Sequence, residues 1–326
     1  MGQVEFIGIP LTDLKVYPLM LGCATFGWTA DETESHQVLD AFWGMGGNSL
    51  DTADMYADGI SESIIGNWME SKGNRRDMVI ATKVGNKPNR LGLSYENILR
   101  ACDESLARLK TDYIDIYFAH DDDLSVEPSE SLRAFGQLIN DGRVRYIGAS
   151  NFSSERLSKS LKSSEFSYVM VQDKYNLVER FDYENKLRNT VLNHGLSNLP
   201  YFSLAKGFLT GKYRRRTDKS VWEAAHGSIG VSEYNQKKYL KVLDGVTKIS
   251  MDVGCSVSAI ALAWLRRQPS VSIPIASART VNQMNQIGEV IKLSELQSAM
   301  LTALTIDLHH QDDQLLRGIF RRLSSK

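Results

Sequence analysis

Met78-Val79-Ile80-Ala81-Thr82-Lys83-Val84-Gly85 is a short apolar run that carries a single lysine near its end and stops at glycine. A run of this length bounded by turn residues reads as a β-strand, with its one charge near the C-terminal end. The same plan recurs on either side. Asn48-Ser49-Leu50-Asp51 is apolar up to an aspartate and continues Thr52-Ala53-Asp54-Met55-Tyr56, and Asp115-Ile116-Tyr117-Phe118-Ala119 ends on His120. An acid, a phenol, an ammonium and an imidazole thus stand at the ends of three successive predicted strands.

Working outward, runs of this kind occur at residues 19–23, 48–51, 78–82, 114–118, 144–148, 168–172, 199–203 and 271–275. Segments with helical periodicity lie between them. The clearest is 94–109, where Tyr95, Ile98, Leu99, Cys102, Leu106 and Leu109 recur at three- and four-residue steps, with Ser94 placed as N-cap and Asn97 three residues on. Residues 132–139 and 257–265 read similarly. Strand–helix alternation calls for a parallel sheet with helices outside. Eight units closing on themselves make an α/β (β/α)8 TIM barrel. An open doubly wound sheet would carry a glycine-rich dinucleotide loop after an early strand, whereas the first strand here runs Leu21-Gly22-Cys23-Ala24-Thr25-Phe26-Gly27. In a barrel the functional residues lie at the C-terminal strand ends, where the four polar residues fall. Segments 4–9 and 14–17 are expected to form an N-terminal hairpin under the barrel. Residues 205–232 form a long loop after strand seven, read as a mobile cover over the site, and a further helix and a polar tail follow Ser294. The whole of 1–326 is read as one barrel domain.

Composition narrows the function. A net charge of -1 argues against a general nucleic-acid or anionic-membrane surface. The basic clusters Arg214-Arg215-Arg216 and Arg321-Arg322 read as solvated. Cys23, Cys102 and Cys255 are odd in number and widely spaced, which points to reduced thiols in a cytoplasmic protein, and no residue set has metal-ligand spacing. Neither a signal peptide nor an apolar run of membrane-spanning length is seen.

The strand-end set suits carbonyl reduction, which needs a hydride at carbon and a proton at oxygen together. Tyr56 is the candidate proton donor and Lys83 the ammonium that eases its ionisation. Asp51 is expected to pair with Lys83, and His120 to hydrogen-bond the substrate oxygen or help relay the proton. Further motifs accompany the four. They are Gly59-Ile60-Ser61-Glu62 with Ile65-Gly66, Ala81-Thr82-Lys83, Ile147-Gly148-Ala149-Ser150-Asn151-Phe152, Gln172 with Tyr175-Asn176-Leu177, and Gly207-Phe208-Leu209-Thr210-Gly211-Lys212-Tyr213. In order and content these resemble the D-T-A-x-x-Y…G-x-S-E, lysine-strand, histidine-strand, G-x-S-N-F, Q-x-x-Y-N-L and G-x-L-T-G-K-Y segments of the aldo-keto reductases, across almost the whole chain.

The resemblance implies a nicotinamide cofactor, NADP (NADPH) in preference to NAD, and a small-molecule carbonyl substrate: an aldehyde, ketone or keto-sugar. It implies that Ser150, Asn151 and Gln172 hold the carboxamide, that Tyr201 stacks on the nicotinamide, and that the backbone from Leu204 to Gly211 holds the pyrophosphate. Cofactor contacts extend on the same grounds to Gly22, Cys23, Asp51, Phe202, Ser203, Lys206, Gly207, Leu209 and Lys212. Ser277, Arg279 and Gln283 are implied to meet the 2′-phosphate, with Gln286 near the adenine. The fold is shared by cofactor-binding, redox-sensing regulatory subunits, which stand as the alternative.

Some positions depart from the family pattern. Asp121-Asp122-Asp123 follow the histidine where a Trp or Pro is common. They either repel anionic substrates or are simply solvated, and the solvated reading is preferred. Lys174 stands where Glu is frequent, Phe202-Ser203-Leu204 where many members read Ser-Pro-Leu, and Gln286-Ile287 where an acid–Asn pair often contacts adenine. Trp28, Met55 and Tyr175 either line an apolar substrate wall or pack in the core.

Overall fold

The computed structural model describes residues 4–213 and 231–309. A small hairpin, β1 (Ile7–Gly8) and β2 (Lys15–Val16), opens the chain. The barrel strands are β3 (Met20–Gly22), β4 (Ser49–Asp51), β5 (Val79–Val84), β8 (Ile114–Ala119), β9 (Val144–Ser150), β10 (Met170–Gln172), β11 (Ser197–Asn198) and β12 (Ile275–Ala276). A second hairpin, β6 (Asn86–Lys87) and β7 (Arg90–Leu91), follows β5 directly. The eight barrel strands are all parallel, in the order β11-β10-β9-β8-β5-β4-β3-β12. Backbone bonds across the remaining seam close the ring: Asn198 N–H to Ser270 O at 2.7 Å, Ser272 N–H to Asn198 O at 3.1 Å and Ile275 N–H to Pro200 O at 2.9 Å. The eight-stranded barrel read from the sequence is therefore the architecture observed.

The strands at the seam, β11 and β12, are displaced most from the sequence reading, for one reason. Proline has no N–H to give a ladder. Pro200 lies just after β11 and Pro274 just before β12, and both act at the seam only as acceptors, Pro274 O taking the Met20 N–H at 3.0 Å. The regular part of β11 therefore ends at Asn198, before the predicted 199–203, and β12 begins at Ile275, at the end of the predicted 271–275.

The barrel interior is a packed core rather than a pore. Met20, Val79, Ala81, Ile116, Phe118, Met170, Leu199, Ile273 and Ile275 form one buried cluster, closed from below by Ile9, Leu14 and Val16 of the N-terminal hairpin segment. Phe118 fits because its neighbour across the sheet is Gly148, where a Cβ would lie 2.3 Å from the ring. The alternate strand residues, among them Leu21, Leu50, Ile80, Tyr117 and Ile147, pack outward in a second cluster with the helices.

Those helices are α1 (Glu32–Gly44), α2 (Ile60–Lys72), α3 (Tyr95–Leu109), α4 (Pro128–Asn140), α5 (Ser154–Ser160), α6 (Arg188–Asn193), α7 (Lys237–Val253), α8 (Val257–Arg266), α9 (Val281–Ile287), α10 (Glu295–Leu304) and α11 (Ile306–His309). Several start on side-chain caps: Asp31 with Glu34, Ser94, Ser153, Ser256, Thr280, and Ser294 with Gln297. Each such cap typically contributes about 1 kcal/mol. At α3 the Asn97 amide donates back to Gly92 O at 2.6 Å, in place of a capping-box glutamate. Among the described residues no single helix is long and apolar enough to cross a membrane. Arg214–Arg216, most of the 205–232 loop, Arg321-Arg322 and the polar tail lie outside the described residues.

Candidate active site at the barrel mouth

Strand register decides which side chains meet. Asp51 is paired with Ala81, so Lys83 stands two residues further along its strand, and Lys83 in turn pairs with Phe118, two residues before His120. The Lys83 ammonium, fully buried, donates to Asp51 Oδ2 at 2.8 Å and to Thr52 O at 2.7 Å. It lies 3.5 Å from the Tyr56 hydroxyl and 5.0 Å from the centre of that ring. The Asp51 carboxylate accepts a second bond from Gln172 Nε2 at 2.8 Å. The Tyr56 and His120 rings meet edge to face, 5.9 Å apart.

Electrostatics give these groups definite protonation states. Burial works against the Lys83 charge, but Asp51 and Tyr56 outweigh it and hold the ammonium above the ordinary lysine range. Burial also raises the Tyr56 phenol above its ordinary value, and the opposing pull of Lys83 does not cancel that rise. The lowering expected from Lys83 alone is therefore not the net effect. His120 is pushed down to about 3, by burial first and by the Lys83 charge second. Its Nδ1 is buried without a partner. At neutral pH the site therefore holds a protonated phenol, a charged lysine and a neutral imidazole.

The ends of β9 and β10 bring in the next group. Asn151 Nδ2 donates to His120 O at 3.0 Å and to Ser150 Oγ at 3.1 Å, and its Oδ1 accepts from the Tyr201 hydroxyl at 2.7 Å. Ser150 and Gln172 are buried beside it. The segment after Pro200 is a chain of tight turns: Phe202, Ala205 and Lys206 have left-handed φ of 51°, 48° and 55°, and Gly207 and Gly211 also have positive φ. Ala57, Asp58 and Asn151 share that conformation, so six of the eight such non-glycine residues described lie at this end of the barrel. Conformational strain of this kind concentrates at functional sites.

Phe202 is exposed, while Ser203, Leu204 and Leu209 are buried, with Ser203 Oγ bound to Pro200 O at 2.8 Å. Lys206 pairs with Glu233 at 2.8 Å, and Lys212 is exposed. Cys23 is fully buried; its N–H goes to Asp51 O and its thiol to Leu21 O, so neither donor is left for a ligand. Gly22 lies against the exposed Ser277, whose Oγ would be 2.7 Å from an added Cβ. Arg279 is half-buried, Gln283 accepts the Arg279 N–H at 2.9 Å, and Gln286 is exposed. The Gln283 N–H is itself taken by the Thr280 cap.

Two readings left open by sequence are decided. Tyr175 is a core residue: it is fully buried against Tyr183 and Trp264, with its hydroxyl on Glu184. Trp28, by contrast, is 59% exposed. The three acids after His120 are not uniformly solvated. Asp122 accepts from Arg156 at 2.8 Å and Asp123 takes the Leu93 N–H at 2.9 Å, which leaves Asp121 as the exposed one.

Residues 18–306 match the model of the aldo/keto reductase family. The chain belongs to that family. Among its relatives, a putative voltage-gated potassium channel subunit beta from Schizosaccharomyces pombe is 31% identical over 96% of this chain and 94% of its own length. The uncharacterized oxidoreductase YrpG of Bacillus subtilis is also 31% identical, over 89% of this chain and 92% of its own. An aryl-alcohol dehydrogenase (NADP+) from Phanerodontia chrysosporium is 28% identical, over 87% and 81%.

Some polar residues of this aldo/keto reductase around the mouth were not visible in sequence. Thr52 meets Lys83 through its carbonyl, which no side-chain pattern reports. Glu62, fully buried, accepts from Thr82 Oγ1 at 2.5 Å and from Arg108 Nε at 2.7 Å. Asp54, also fully buried, has no hydrogen-bond partner for either carboxylate oxygen; Arg90 is 3.9 Å away. Glu62 lies within the quoted G-x-S-E segment and Asp54 within the D-T-A-x-x-Y segment, but neither spacing shows that the carboxylate turns inward.

Proposed function

We propose that this protein is an NADPH-dependent reductase of small aldehydes, ketones or keto-sugars in the cytoplasm, with Tyr56 as proton donor. The observation that carries the reading is the Lys83 ammonium, fixed by Asp51 and the Thr52 carbonyl, 3.5 Å from a protonated Tyr56 hydroxyl that stands edge-on to a neutral His120.

The donor set fits a nicotinamide. Ser150, Asn151 and Gln172 offer hydroxyl and amide groups that both donate and accept, as a carboxamide requires. Ser150 Oγ accepts from Asn151, which leaves its own O–H to give. Tyr201 stands beside them at the mouth. Arg279 supplies a charged fork for a 2′-phosphate. Because the N–H groups of Arg279 and Gln283 are already bonded within the turn, that phosphate would rest on the guanidinium and Ser277 rather than on the helix end. When bound, the cofactor supplies the hydride to the carbonyl carbon.

The protein's own part is the proton and the charge. Tyr56 holds a proton at Oη and releases it to the carbonyl oxygen as that oxygen gains charge. The phenolate left behind is stabilised by Lys83 and is reprotonated from solvent. Asp51 keeps Lys83 charged and aimed. His120, neutral, contributes a hydrogen bond rather than a proton. With Nδ1 buried and unpartnered, the ring hydrogen belongs on Nε2, since an orphaned buried N–H is the costlier arrangement. Preorganised donors of this kind act where charge develops.

The test is to bind NADPH and NADH to the purified protein and then mix it with a panel of aldehydes, ketones and keto-sugars, following nicotinamide absorbance. Tighter NADPH binding with repeated turnover of any member supports the reading. Binding followed by only slow single turnover across the panel would favour the alternative suggested by the channel-subunit relatives, a cofactor-binding regulatory subunit. A folded protein that binds neither cofactor would overturn both.

A further inference from the structure

We infer that Lys87, in the β6–β7 hairpin, is a positioning residue for Tyr56; this rests on the reading of Tyr56 as proton donor. The two residues after Tyr56 are held in a backbone conformation that their side chains disfavour. Ala57 has φ 49° and ψ 40°, and Asp58 has φ 56° and ψ 32°. The left-handed region is unfavourable for a residue with a side chain, and such residues persist only where their surroundings hold them.

Lys87 does the holding. Its ammonium is 3.0 Å from Asp58 Oδ1 and 3.4 Å from Asp58 O, so one group grips both the side chain and the backbone of the strained residue. The pair is lopsided: the Lys87 side chain is only 10% exposed, whereas that of Asp58 is 79% exposed. An ordinary surface ion pair has both partners in water and contributes little. Here a lysine packed into the hairpin reaches outward to fix a turn that faces solvent.

The hairpin has the rigidity this requires. Its two short strands pair Asn86 with Leu91 and Lys87 with Arg90. Arg90 is bound to Glu104 of α3, and the Asn97 amide of α3 donates to Gly92 O at 2.6 Å. Just beyond, Leu93 N–H bonds Asp123. On the far side of the turn, Arg108 lies so close under Gly59 that a Cβ there would be 2.7 Å from its Nε. Lys83 and Lys87 are four residues apart on one segment that leaves β5 through Gly85. One lysine therefore sets the charge beside the Tyr56 hydroxyl and the other sets the backbone that carries it. Without Lys87 the turn can relax toward ordinary conformers, and the hydroxyl leaves its place beside Lys83 and His120. A displacement of about 1 Å at a reacting group can cost roughly 100-fold in rate.

The experiment compares Lys87→Met, Lys87→Arg, Asp58→Ala and Tyr56→Phe for single-turnover rate, substrate KM, NADPH affinity and thermal midpoint. Lys87→Met is expected to lower the rate roughly 10- to 100-fold with NADPH affinity unchanged, and Lys87→Arg to recover most of it. Asp58→Ala, at an exposed position where folding is not at stake, is expected to lower the rate in the same sense and decides the matter if Lys87→Met does not fold. Wild-type rates in Lys87→Met, or in Asp58→Ala if that variant must decide, beside an inactive Tyr56→Phe would overturn the positioning role and leave the reductase reading intact. An active Tyr56→Phe would instead remove the reading on which it rests.

Discussion

Replacing Asp54 with asparagine should make this protein more stable at neutral pH. Asp54 is fully buried and neither of its oxygens has a hydrogen-bond partner. Its carboxyl is pushed up from 3.8 to about 6, chiefly by burial and then by the charge of Glu62; Arg90, Arg108 and Lys87 pull it back only in part. A folded-state acid that is harder to ionise than its unfolded counterpart binds more protons folded than unfolded between those two values. Stability therefore falls as pH rises from about 4 to about 6, and the full penalty is present above that window. At about 1.4 kcal/mol per pH unit the penalty is on the order of 3 kcal/mol at pH 7 to 8. Asparagine keeps the shape and carries no charge, so it escapes the penalty. The assay is denaturant unfolding of wild type and Asp54→Asn at a series of pH values from 4 to 8. The stability gap should be near zero at the acid end, open through about pH 4 to 6, and stay level above it. A gap independent of pH, or a variant less stable at pH 8, would show that Asp54 is compensated in a way the structure does not contain.

Two further outcomes follow from the site. Lys83→Met should abolish most turnover and also destabilise the fold by about 3–5 kcal/mol, because it strands the buried Asp51 with only Gln172 for company; thermal unfolding beside activity checks both halves. Arg279→Ala should weaken NADPH binding while leaving NADH nearly unchanged, and equal weakening of the two would remove the 2′-phosphate role.

What the sequence disclosed depended on how locally each feature is encoded. β4, β5 and β8 were legible because their apolar runs are uninterrupted and their polar residues stand at the ends. The bounds of β11 and β12 lie a few residues from those the apolar pattern suggests, because Pro200 and Pro274 break the ladder while that pattern continues through them. Tyr175 and the three acids after His120 could not be assigned from spacing, since their roles depend on Glu184, Arg156 and the Leu93 N–H, each supplied by a different segment. The β6–β7 hairpin was invisible: two-residue strands have no periodicity, and its anchors lie on α3. The raised Tyr56 phenol shows the same limit, because a neighbouring lysine can be named from a motif but the burial that outweighs it belongs to the assembled barrel.

The proton-donor role of Tyr56 is tested by pre-steady-state reduction of a turned-over carbonyl by NADPH-loaded wild type and Tyr56→Phe, with cofactor affinity measured in parallel. The phenylalanine variant is expected to bind NADPH as wild type does and to lose hydride transfer by a factor of roughly 100 or more, the scale of a lost general acid. A variant that transfers hydride at the wild-type rate would contradict the assignment of Tyr56, and with it the mechanism built on Lys83 and Asp51.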